Sequence, residues 1–175
     1  MAGQSHYTPP MPAFDTPPKV LIVVAPYYRE IADDLVSGAI RSLDRVKARH
    51  ETVEVPGALE VPTAIRIAQR TSNFDGYVAL GCVIRGETTH YETVCNDSSR
   101  GLMLLGLDGC CIGNGILTVE TYEQAAVRAG EQDKGGGAAA AALHLVALAR
   151  RWKGEGRGVG FRPGTDPHGE DTIVA

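Results

Sequence analysis

Apolar side chains along this chain fall into two alternating patterns. Val20 to Ala25 (VLIVVA) is an unbroken apolar run, as expected of a strand covered on both faces. Behind it Ile31, Leu35, Ala39, Leu43 and Val46 recur at helical spacing. His50 to Val55 is short and β-branched at Thr52, Val53 and Val55, which predicts a second strand, and Pro56-Gly57 turns the chain. Leu59, Ile65 and Ala68 mark a second helix. Tyr77 to Cys82 (YVALGC) is a third strand, and Tyr91, Val94, Cys95, Ser98, Leu102 and Leu105 follow at helical spacing. Cys111 to Thr118 (CIGNGILT) reads as a fourth strand, and Ala138 to Trp152 as a last helix announced by Gly135-Gly136-Gly137.

Strands that alternate with helices imply a parallel sheet with helical crossovers, hence an α/β fold. Ligands of such sheets bind outside the carboxyl ends of the strands. The search for chemistry therefore narrows to Ala25–Tyr28, Val55–Glu60, Cys82–His90 and Asn114–Thr118.

The ends of the chain differ from this block. Residues 1–18 carry five prolines and few aliphatic side chains, and residues 154–175 hold six glycines. They read as a flexible arm and a tail around one domain at 19–153. A length of 175 residues suits a single core. The net charge of −4 gives no electrostatic reason to bind nucleic acid or an anionic membrane.

Ala138 to Ala149, the longest apolar stretch, contains His144 and is too short to span a bilayer. The first residues lack the basic start and apolar stretch of a signal peptide. Cys82, Cys95, Cys110 and Cys111 form no CxxC pair and stand at no zinc-ligand spacing, so no metal is expected. A reducing, cytoplasmic setting is the expectation.

The third loop, Gly81 to His90 (GCVIRGETTH), is the richest. Thr89 with Glu92 fits a capping box, with Thr89 at the N-cap and His90 at the first helical position. Free amides around Glu87 to His90 would then form an anion site. The alternative is a structural turn whose Gly86 merely permits a bend. His90 brings an imidazole, the side chain suited to moving protons near neutrality. Tyr27 offers an aromatic face after the first strand. Gly57-Ala58-Leu59-Glu60 sets a close-approach backbone beside a carboxylate that can hydrogen-bond a polyol or a ring edge. Arg128 and Lys134 are either phosphate partners or solvated cations. No GxGxxG after a strand, no GxxxxGK[ST] and no HExxH occurs.

Taken together, Val55-Pro56-Gly57-Ala58-Leu59-Glu60-Val61-Pro62, Gly81 through Tyr91, and Gly115-Ile116-Leu117-Thr118 leading to Glu123-Gln124-Ala125 resemble the 6,7-dimethyl-8-ribityllumazine synthase family of riboflavin biosynthesis. The resemblance spans residues 19–152. It implies a three-layer sandwich, a four-stranded parallel sheet flanked by helices in flavodoxin-like order. It also implies homopentamers, alone or built into icosahedral shells, and riboflavin synthase as a functional partner. The implied reaction condenses 5-amino-6-(ribitylamino)uracil with 3,4-dihydroxy-2-butanone 4-phosphate, without a cofactor.

Transferred residue by residue, the resemblance has Tyr27 stack on the pyrimidine and Ala58, Leu59 and Glu60 hold the ribityl chain. Cys82, Val83 and Ile84 present backbone groups to the pyrimidine edge. Glu87 and Thr88 bind the phosphate through main-chain amides, and His90 donates and accepts protons. Asn114, Arg128 and Lys134 come from a neighbouring subunit, the first towards the pyrimidine and the others towards the phosphate. The sequence departs from the family at Tyr27 and Asn114, where many members have Phe, and in a shorter stretch between Arg128 and Lys134. The rival readings are a non-catalytic relative that holds a lumazine or riboflavin, and a shell-forming protein whose site has decayed. Turnover separates them.

Overall fold

A computed structural model describes residues 7–154. Its elements run β1 (Lys19–Val24), α1 (Arg29–Arg45), β2 (Arg49–Glu54), α2 (Glu60–Thr71), β3 (Gly76–Ile84), α3 (His90–Leu107), β4 (Ile112–Val119), α4 (Tyr122–Ala129) and α5 (Lys134–Trp152). The strands pair in parallel in the order β2-β1-β3-β4. The result is the three-layer, flavodoxin-like α/β sandwich.

Because strand side chains alternate between faces, each strand feeds two cores. Val20, Ile22 and Val24 of β1, with Val78 and Leu80 of β3, join Ile31, Leu35, Leu43, Ala139 and Leu143 on the side of α1 and α5. Leu21 and Val23 of β1, with Tyr77 and Ala79 of β3, join Val61, Ile65, Leu102 and Leu105 on the side of α2 and α3. β1 and β3 are buried almost throughout, which is why they read as unbroken apolar runs. β2 is an exposed edge strand and β4, the other edge, alternates.

Two features depart from the sequence reading. α4 was not expected: it is short, and only Ala125 and Ala129 are buried on it, so it leaves little apolar periodicity. Its signature is a capping motif, Thr121 Oγ1 accepting from the Gln124 amide at 3.3 Å while Gln124 Oε1 accepts from the Glu120 amide at 3.0 Å. Helix α5 begins at Lys134 rather than Ala138, so the glycines lie in its first turn instead of before it. The cause is close packing, since a Cβ at Gly135 would overlap the carbonyl oxygen of Leu35 on α1. Asp133 starts the helix from a left-handed conformation (φ 45°), which Asp tolerates better than most residues, and its carboxylate accepts from the Gly136 amide at 3.2 Å.

Gly113 is under the same constraint on β4, where a Cβ would overlap the carbonyl of Ala138. Only backbone movement could relieve that clash, so Gly113→Val should cost at least the ~1–3 kcal/mol typical of overpacking. A urea titration should show a lowered midpoint; an unchanged midpoint would mean α5 can slide away freely.

Residues 7–18, within the segment read as an arm, form neither helix nor strand. Met11 and Phe14 nevertheless rest on the core beneath α1 and α5. Arg150 of α5 donates to Thr16 O at 2.6 Å and pairs with Asp75 at 3.1 Å. The tail at 154–175 lies outside the described residues except for Gly154. No helix among the described residues is long and apolar enough to cross a membrane.

Candidate active site

From β1 the chain leaves the sheet one way to β2 and then crosses back to β3, so the connections diverge at the carboxyl ends of β1 and β3. That divergence opens a crevice, the usual ligand position in such sheets. A cleft of about 540 Å³ lies there. Tyr27 and Tyr28 after β1, Pro56 to Glu60 after β2, and Cys82 to Ile84 at the end of β3 line it, together with Gly86, Thr88, His90 and Tyr91.

Each wall follows from its local sequence. Tyr27 packs edge-on against Tyr28, with ring centroids 5.0 Å apart, yet remains 77% exposed and available for stacking. Tyr28, which sequence reasoning did not single out, is half-buried; burial first, then its neighbour Tyr27, pushes its phenol above the usual range. The Gly57–Glu60 turn is closed by the Glu60 amide donating to Gly57 O at 3.1 Å. Ala58 is buried there, while Leu59 and Glu60 are exposed at the start of α2.

Cys82 is buried at the end of β3, and burial pushes its thiol up to about 11. At neutral pH the thiol is therefore protonated and no nucleophile. It contributes backbone and apolar surface. All four cysteines are free thiols.

The α3 start differs in one respect from the sequence expectation. Thr89 is the N-cap and His90 the first helical residue, but no side chain caps the helix. The expected capping box is absent: Thr89 lies in the helical region (φ −69°, ψ 0°) rather than the extended one a capping residue adopts, and Glu92 pairs with Arg85. A long contact remains, the His90 amide to Thr88 Oγ1 at 3.4 Å. The first turn thus keeps open amides, a fitting end for an anion. His90 and Thr88 line the cleft; Glu87, between Gly86 and Thr88, is exposed on the same loop but is not a lining residue.

Asn114, Arg128 and Lys134 are not part of this cleft. They line a separate depression of about 470 Å³ with residues of β4 and α5. Asn114 Oδ1 accepts from the Ile116 amide at 2.9 Å, and Arg128 donates to Gln124 O at 2.9 Å on its own helix. Among the described residues, no group of three or more His, Cys, Asp or Glu could hold a metal ion.

A crevice at the switch point of a parallel sheet, with an aromatic wall, a carboxylate and an uncapped helix start bearing a histidine, is the layout of an α/β enzyme's ligand site. The sequence model of 6,7-dimethyl-8-ribityllumazine synthase matches residues 17–150. A 6,7-dimethyl-8-ribityllumazine synthase of Jannaschia sp. (strain CCS1) is 57% identical over 165 residues, 93% of each chain. One from Sphingopyxis alaskensis is 58% identical over 131 residues, 74% of this chain and 93% of the relative. One from Bartonella tribocorum is 54% identical over 139 residues, 77% and 92% of the two chains. The chain belongs to the 6,7-dimethyl-8-ribityllumazine synthase family.

Proposed function

We propose that the cleft between Tyr27 and His90 is where this enzyme condenses 5-amino-6-(ribitylamino)uracil with 3,4-dihydroxy-2-butanone 4-phosphate. The products are 6,7-dimethyl-8-ribityllumazine, phosphate and two waters. The pyrimidine's amine attacks the ketone and water leaves, giving an imine. Elimination then breaks the C–O bond to phosphate, and attack of the ribityl-bearing nitrogen on the remaining carbonyl closes the ring with loss of the second water. Every step moves protons and none changes the overall redox state, so positioning and proton transfer suffice.

The observation that carries this reading is the uncapped α3 start, with Thr88 and His90 facing the same cleft as Tyr27 and Glu60. Tyr27 stacks on the pyrimidine, and Ala58, Leu59 and Glu60 hold the ribityl chain. Backbone groups of Cys82, Val83 and Ile84 meet the ring edge. Amides of Glu87 and Thr88 take the phosphate, and His90 shuttles protons.

We place Asn114, Arg128 and Lys134 opposite the cleft of an adjacent copy in a cytoplasmic homopentamer. Their separation from the cleft within one chain supports this arrangement. So does an apolar groove by β4 in which Met103, Leu107 and Trp152 stay 65–79% exposed, side chains suited to cover against another copy of the chain. Riboflavin synthase, as the consumer of the product, is the functional partner.

The test is turnover with both substrates in the presence of inorganic phosphate. Phosphate should inhibit competitively against the butanone phosphate and not against the pyrimidine. No turnover would remove the function, and inhibition that follows the pyrimidine would remove the phosphate assignment.

A further inference from the structure

We propose that Arg85 is a positioning residue for the phosphorylated substrate: by clasping Glu92 and Glu120 it holds the His90 loop and keeps a carboxylate off the anion site. The inference rests on the phosphate and His90 assignments above. Arg85 stands where β3 ends, its amide donating to Val119 O at 3.0 Å as the last rung of the sheet. Beyond it the loop is weakly tied. Residues 85–90 are exposed, Gly86 has no neighbour within 4 Å of where a Cβ would stand, and the His90 amide makes only its long contact to Thr88. The guanidinium bridges this stretch. It pairs with Glu92 on the first turn of α3, donates through Nε to Glu120 at 2.7 Å beyond β4, and lies 4.1 Å from the Tyr91 ring centroid. Three elements are thereby fixed around the residues that line the cleft.

The same contacts decide where a negative charge sits. Without Arg85, Glu92 is three residues past Thr89, the spacing at which a Glu folds back onto the N-cap amide. That would place a carboxylate on the helix start that phosphate needs, beside Glu87 already on the loop. Arg85 first, then Glu92's own backbone amide, hold the Glu92 carboxyl below the usual range, and the pairing with Arg85 keeps that carboxylate from reaching back to the N-cap amide. A carboxyl with a lowered pKa stays ionised above that range and loses its ion pair only as pH falls through the lowered value. The clasp is therefore intact throughout neutral pH. Paired with two carboxylates, Arg85 is itself no phosphate ligand.

The experiment uses the full-length enzyme, with inorganic phosphate as probe. Arg85→Met should raise the KM of the butanone phosphate and the inhibition constant of phosphate about tenfold, as expected for a like charge brought near the anion. It should lower kcat and leave the pyrimidine KM within about twofold. Adding Glu92→Gln to Arg85→Met should restore most of the phosphate affinity while kcat stays low, because the displaced carboxylate is gone but the loop is still loose. A purely structural role would move both KM values together and show no such rescue. Unchanged phosphate affinity in Arg85→Met, or no rescue in the double variant, overturns the proposal. If Arg85→Met does not fold, Arg85→Lys, which can pair with one carboxylate at a time, should show a several-fold weakening, and wild-type affinity there overturns it equally. Wild-type enzyme that phosphate does not inhibit would sink the loop assignment itself, a result separate from either.

Discussion

His90→Ala should lower turnover by about 10²–10⁴-fold, the range that a positioned acid–base group supplies. Both KM values should change only a few-fold. The side chain is exposed at the first position of α3 and caps nothing. Its removal should leave stability within about 0.5 kcal/mol, as for most surface substitutions, so a loss of rate reports on chemistry. The residual rate should remain well above the uncatalysed reaction because the cleft still holds both substrates. Steady-state kinetics with each substrate varied, beside a thermal melt, separates the effects. Unchanged kcat would remove His90 from its role, and a lowered melting temperature with proportionate loss of active enzyme would show a structural one.

The parts legible in the sequence are those whose physics is local. β1 and β3 are buried on both faces, so each is an apolar run, and from them the parallel sheet and its carboxyl-end loops follow. Gly57 to Glu60 and Gly81 to His90 stand where those loops should be, and nine of the proposed site residues line the cleft they form: Tyr27, Ala58, Leu59, Glu60, Cys82, Val83, Ile84, Thr88 and His90.

What escaped the sequence depends on contacts between distant residues. Gly135 inside α5 is explained only by the approach of Leu35, a hundred residues earlier in the chain. The capping box expected at Thr89 fails because Thr89 is itself helical and Glu92 is taken by Arg85, and Arg85 reaches Glu120 across 35 positions with no sequence spacing to announce it. The motif that does cap, Thr121 with Gln124, has the same T-x-x-[EQ] form. Local pattern nominates both sites, but Thr121 is extended (φ −135°, ψ 161°) and caps, whereas Thr89 is helical and does not. Tyr28 was missed because its place in the wall depends on Tyr27 and on Tyr122, 6.3 Å away, whose hydroxyl donates to Glu30 at 2.8 Å.

Mixed assemblies test whether each site needs two copies of the chain. A His90→Ala chain and an Arg128→Ala/Lys134→Ala chain should each be poor catalysts, the first lacking its proton shuttle and the second its cationic partners for phosphate. In a head-to-tail ring, the cleft of one subunit meets the β4–α5 depression of the next. If equal amounts are unfolded and refolded together, an intact cleft meets an intact depression in about a quarter of the interfaces, one half times one half, for heterologous contacts. Activity should therefore rise from the level of the poorer parents to about a quarter of wild type. Cis placement of all these residues predicts no gain, since every chain carries a defect. The two outcomes differ by the full catalytic defect of the parents, so even a modest gain is decisive once native mass spectrometry shows mixed rings. Two defective parents that form mixed rings without gaining activity would put each complete site within one chain and overturn the two-subunit reading.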